Sequence, residues 1–96
     1  MVAINTEIMS RHGKSIGVVT ESNGKSFTFT RPTGKTVKIT AGKIRKTLQR
    51  LQQGETLRYQ ANPGDGGISY TVAIERGVIA GLGDQVKATP EGYVIA

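Results

Sequence analysis

Apolar and polar residues alternate through much of the first forty positions, and the period then changes. Ile16-Gly17-Val18-Val19-Thr20-Glu21 predicts a strand. Ser22-Asn23-Gly24-Lys25 follows, and Asn-Gly predicts a two-residue hairpin turn with positive φ at both central positions. Ser26 to Arg31 alternates strictly, which puts Phe27 and Phe29 on a core face and Ser26, Thr28 and Thr30 on the other. Pro32-Thr33-Gly34-Lys35 predicts a second turn, with proline fixing φ at its start and glycine closing it. Thr36-Val37-Lys38-Ile39 is a third strand with Val37 and Ile39 inward. Three strands and two tight turns make an antiparallel β-meander over 16–39.

The period then becomes helical. Ile44, Leu48 and Leu51 recur at i, i+4, i+7 and predict one amphipathic helix over 41–53. Thr40 suits its N-cap, and Gly54 stands where a C′ glycine belongs. Alternation resumes afterwards. Leu57 and Tyr59 share one face, and Ile68, Tyr70, Val72 and Ile74 line another, so 55–74 is expected to be a hairpin with a long loop at 61–67. A last hairpin is expected over 85–95, turning at Thr89-Pro90-Glu91-Gly92, with 92–96 as an edge strand. Residues 1–12 read as a short helix or a loose arm. Residues 75–83 are ambiguous, because Val78, Ile79 and Leu82 fit a helix while Gly77, Gly81 and Gly83 oppose one.

Composition agrees with a strand-rich α+β domain. The 96 residues fit one domain. Ile and Val number 9 and 8 against 4 Leu, with 11 Thr, and β-branched side chains favour pleated sheet. The 13 glycines supply the turns that many short strands need. An OB-like barrel and a winged-helix-like arrangement both fit the same element order and are the alternatives.

Charge sharpens the picture. The net charge is +6, and residues 22–54 hold Lys25, Arg31, Lys35, Lys38, Lys43, Arg45, Lys46 and Arg50 with no Asp or Glu. Beyond residue 58 there are two basic residues, Arg76 and Lys87, against four acidic ones. A basic stretch this confined points to a polyanionic partner.

Three tripeptides, 13–15, 24–26 and 34–36, read Gly-Lys-Ser or Gly-Lys-Thr, the tail of the P-loop motif. The motif also needs a glycine five positions before its Gly-Lys pair. Ile8, Val19 and Phe29 stand there instead. Nucleotide hydrolysis at such a loop is therefore not expected, and the glycines are assigned to turns.

Catalytic chemistry is poorly supplied. His12 is the sole histidine, cysteine is absent, and no lysine has Asp or Glu two residues before it, as a common metal-dependent nuclease would require. No metal site and no cofactor are expected. The chain is expected to be a non-enzyme. No apolar run reaches the length of a membrane span, and the N-terminus does not read as a secretory signal, so a cytoplasmic protein without a membrane partner is expected. Its compactness suits a phage or mobile-element protein.

The expected function is nucleic-acid binding, with duplex DNA favoured over RNA. Lys43, Lys46 and Arg50 fall at i, i+3, i+7 on the predicted helix, beside Gln49. Lys38 and Arg31 lie on or beside the outward face of the meander, with Lys25 and Lys35 at its turns. These residue types contact phosphates and base edges. One alternative is a protein-binding module that presents the same face to an acidic partner. Another is a structural subunit that forms a homodimer or larger oligomer through sheet edges.

Overall fold

The computed structural model describes residues 2–60 and 68–96. The chain is a small α+β domain built on an antiparallel meander. β1 (Glu7–Met9), β2 (Ser15–Ser22), β3 (Ser26–Thr30) and β4 (Thr36–Thr40) form one sheet in the order β1-β2-β3-β4. The three expected strands are present. The expected helix or loose arm at 1–12 is instead a fourth strand and its lead-in. The Asn5 amide donates to the Val19 carbonyl, the Val19 amide to the Thr6 carbonyl, and the Ser22 hydroxyl to the Val2 carbonyl. Ile8 then enters the core fully buried.

Phe27, Phe29, Val37 and Ile39 all face inward, as their alternation requires, and join Ile8, Ile16 and Val19. The turns differ from one another. At Asn23-Gly24 neither residue adopts a positive φ. The Asn23 side chain instead accepts from the Lys25 and Ser26 amides at 2.7 and 3.0 Å, and the Asn23 amide donates to the Ser26 carbonyl. Asparagine closes this hairpin through its side chain rather than through a left-handed backbone.

The other two turns share one design. The Ser10 amide donates to the Lys14 carbonyl and the Gly13 amide to the Ser10 carbonyl. The Arg31 amide likewise donates to the Lys35 carbonyl and the Gly34 amide to the Arg31 carbonyl. Gly13 and Gly34 have φ of 83° and 87°, a conformation that costs glycine nothing. This is the bonding pattern of a three-residue hairpin loop closed by a left-handed glycine.

α1 (Ala41–Gln52) starts where expected. The Thr40 hydroxyl accepts from the Lys43 amide at 3.2 Å, and Gly54 follows the C-terminus with φ 92°. Leu51 is buried, and Ile44 and Leu48 pack against the core beside it. The second helix overturns the sequence expectation. α2 (Tyr70–Leu82) occupies the stretch expected to be the second strand of the 55–74 hairpin together with the ambiguous 75–83. Ser69 caps it, accepting from the Val72 amide at 3.2 Å. From Val72 to Leu82 no residue is fully exposed. A helix buried on most sides has no polar stripe, so its period is not visible in the sequence.

The glycines that opposed a helix here are what let it pack. A Cβ at Gly77 would sit 2.6 Å from Ile39 Cγ1 and 3.0 Å from Phe29 Cε1. A Cβ at Gly81 would sit 2.5 Å from Ile44 Cδ1. α2 thus lies close on the inner face of the sheet at one glycine and close on α1 at the other.

β5 (Leu57–Arg58), β6 (Val86–Thr89) and β7 (Gly92–Ile95) form a second antiparallel sheet in the order β5-β7-β6, after a short 3-10 turn at Gly83–Gln85. The expected last hairpin is present. β7 is nevertheless the middle strand rather than an edge, and β5 pairs with it rather than with residues 68–74. The two sheets do not close into an OB-like barrel. β6 and β7 are no free wing either, because β5 continues their sheet. The loop expected at 61–67 lies outside the described residues.

The two packing glycines separate in a testable way. Alanine gains up to ~1 kcal/mol of helix propensity at either position, against about 1–3 kcal/mol for overpacking a rigid core. Ile39 and Phe29 are fully buried and cannot yield, whereas the contact at Gly81 is the end of a half-buried isoleucine. Gly77→Ala should lower stability in urea unfolding, and Gly81→Ala should be near neutral. Equal effects would contradict this packing.

Candidate nucleic-acid interface

The eight residues singled out by the sequence separate into three places. Lys43, Lys46, Gln49 and Arg50 are exposed on the solvent side of α1, opposite Ile44, Leu48 and Leu51. Arg45 is exposed on the same helix beyond Gln49. Lys25 belongs with them, because its carbonyl accepts from the Ala41 amide at 2.8 Å and ties the β2–β3 turn to the start of α1. The helix is about 18 Å long.

Among the described residues, Arg50 is the one member of this face with an acidic partner. Its guanidinium donates to both Glu55 carboxylate oxygens, the closest contact being 3.1 Å. The hydrogen bond and the charge of Glu55 raise the Arg50 pKa, and the hydrogen bond from Arg50 lowers that of Glu55. Both groups are solvent-exposed, so the pair holds Arg50 only weakly. It is the only ion pair among the described residues.

Lys38 lies elsewhere. It projects from the outward face of the sheet, in register with Thr28 of β3, and Thr28 is in register with Glu21 of β2. The next row runs Thr36, Thr30, Val18 and Glu7. The outward face is therefore rich in threonine, with Thr20 and Thr30 hydroxyls 3.0 Å apart, and its single lysine is offset by two glutamates. It is not the basic face that the sequence suggested.

Arg31 and Lys35 lie at a third place. Antiparallel order puts the β1–β2 and β3–β4 turns at one end of the sheet and the β2–β3 turn at the other. Five-residue strands separate the ends by about 17 Å, so Lys25 and Lys35 do not share a surface patch. Arg31 is partly buried and donates from Nη2 to the Ile68 carbonyl just before α2. Beside it the structure gathers Lys14 and His12, which sequence reasoning left out. The four line one groove of about 540 Å³. The signal was present in the parallel spacing of Ser10-Arg11-His12-Gly13-Lys14 and Arg31-Pro32-Thr33-Gly34-Lys35.

Adjoining that end is a polar junction between the sheets. The Tyr59 and Tyr93 rings meet edge to face at 5.4 Å. The Arg11 guanidinium stacks 4.2 Å from the centre of the Tyr59 ring, and Arg76 bonds both the Tyr93 hydroxyl and the Met9 carbonyl. Tyr59 donates to the Thr89 carbonyl at 2.6 Å. Phe27 and Phe29 are core, so the outward face of the meander carries no aromatic platform.

Glu75 is half-buried within this junction and accepts from the Gln60 amide at 3.2 Å. Desolvation raises its pKa, opposed by that hydrogen bond and by the charges of Arg76 and Arg11. A carboxyl whose pKa is raised by folding costs nothing while both states are protonated. It costs stability as pH climbs from its unfolded value through its folded one. Glu75→Gln should therefore match the wild-type melting temperature at a pH of about 3 and exceed it at about pH 7. A variant less stable at neutral pH would show that the charge is favoured there.

Among the described residues no cluster of His, Asp and Glu is arranged to hold a metal ion, and no helix is long and apolar enough to cross a membrane. Compared with models of known protein families, with curated proteins and with solved structures, the chain matches none.

Proposed function

We propose that this chain is a non-catalytic nucleic-acid-binding protein that holds duplex DNA against the solvent face of α1. The observation that carries this is the acid-free run 22–54. Its helix presents Lys43, Arg45, Lys46 and Arg50 to solvent, with Lys25 tied to its first turn. Of these, Arg50 alone has an acidic partner among the described residues, and an exposed ion pair yields readily to phosphate. Such a face suits counterion release from a DNA backbone. An α-helix fits the B-DNA major groove of about 12 Å, whereas the major groove of RNA is too narrow for side chains to read.

Two other modes have less support. Laying the meander in the groove would set Glu7 and Glu21 against phosphates. Stacking single-stranded bases on the sheet needs exposed aromatics, and Phe27 and Phe29 are buried.

Fluorescence anisotropy with a labelled duplex tests the proposal. With four to five phosphates neutralised, log affinity should fall against log salt with a slope of about −3.6 to −4.5. Lys43→Glu combined with Lys46→Glu should make that slope shallower by about 2 and weaken binding to every duplex sequence alike. No binding in about 50 mM salt, or unchanged binding by the variant, would refute it.

A further inference from the structure

The groove at the twin-turn end is a second cationic site, separate from α1. Lys14 precedes β2 and Lys35 precedes β4, each directly after a left-handed glycine in the same type of loop. β3 runs between those strands, and Arg31 follows its last residue. Two strand spacings of about 4.8 Å separate β2 from β4, so the lysines flank the arginine from either side. Arg31 is oriented by its bond to the Ile68 carbonyl, and a guanidinium carries five N–H donors, so others remain. His12, Ser10, Ser15 and Thr33 are the other polar residues that line it. Ile16, Pro32 and Ile68 give it an apolar part, and none of the described residues that line it is acidic.

We infer that this groove binds a nucleotide through its terminal phosphate monoester, either as a free nucleotide or as the phosphorylated end of a strand. The groove is a concavity of about 540 Å³, a size typical of small-molecule sites, which suits a compact terminal group better than a continuous duplex backbone. Charge favours the monoester. A terminal phosphate carries about −1.5 to −2 at neutral pH against −1 for a diester, and three cationic side chains, Lys14, Arg31 and Lys35, line the one groove. The apolar lining gives the flat face of a base somewhere to lie. The groove owes nothing to α1 and stands whether or not that helix holds DNA.

The test compares a short 5′-phosphorylated single strand with its 5′-hydroxyl twin, and adenosine monophosphate with adenosine, by calorimetric titration. Wild-type protein is set beside Lys14→Ala combined with Lys35→Ala, both exposed positions, with circular dichroism to check that the fold is kept. The phosphorylated partner of at least one pair should bind about tenfold tighter, and the double variant should lose that preference while its duplex binding drops no more than uniformly. Preference in the strand pair alone assigns a strand end, and preference in the mononucleotide pair assigns a free nucleotide. No phosphate preference in either pair, or one that persists in the double variant, overturns the site. Loss of duplex binding in Lys43→Glu with Lys46→Glu, with the phosphate preference kept, shows that the two surfaces are separate.

Discussion

The close contact between Gly77 of α2 and the Ile39 and Phe29 side chains of the sheet sets the architecture. Without a side chain at Gly77 the helix axis can come near enough for Ala73, Val78 and Leu82 to join the core. Gly81 repeats the device against Ile44 and so seats α1 on α2. Once Ile44, Leu48 and Leu51 are turned toward α2 and the core, the cations of α1 are left on its solvent side. The basic surface thus follows from how α1 packs its apolar stripe inward against α2 and the core.

The same packing explains why charge is distributed as it is. One face of the four-stranded sheet is closed by helix, and the other stays open with threonines, a lysine and two glutamates. Cations gather at the perimeter instead: on α1 with Lys25 at one side, and at the paired turns with Lys14, Arg31 and Lys35 at the far end of the strands. The three Gly-Lys-Ser/Thr tripeptides therefore have two outcomes. Two build equivalent loops around one groove, and the third, closed by the Asn23 side chain, braces the start of α1 through the Lys25 carbonyl. None has the glycine that a P-loop needs.

Much of this was legible in the sequence wherever burial is one-sided. β2, β3, β4 and α1 each have one wet face, so alternation or a helical stripe is written into Phe27, Phe29, Val37 and Ile39, and into Ile44, Leu48 and Leu51. α2 was not legible, because a helix covered on most sides needs apolar residues all round, and Ile68, Tyr70, Val72 and Ile74 then mimic a strand. Its glycines weaken helix propensity, and only the tertiary contact shows why they are there. β1 was missed because three residues with one buried side chain, Ile8, carry too little pattern. The basic residues can be read off the sequence as a class, yet their grouping depends on which end of the sheet each turn occupies. Arg11, His12 and Lys14 were left aside for the same reason.

The account rests on α1 rather than the sheet meeting a nucleic acid. A residue-by-residue map of backbone amide shifts, recorded as a DNA duplex is titrated into the labelled protein, reads this directly. Perturbations should concentrate on Lys25 and on α1 from Ala41 to Arg50, with Thr28, Thr30 and Lys38 of the outward sheet face unmoved. Shifts centred on those sheet residues, with α1 silent, would contradict it.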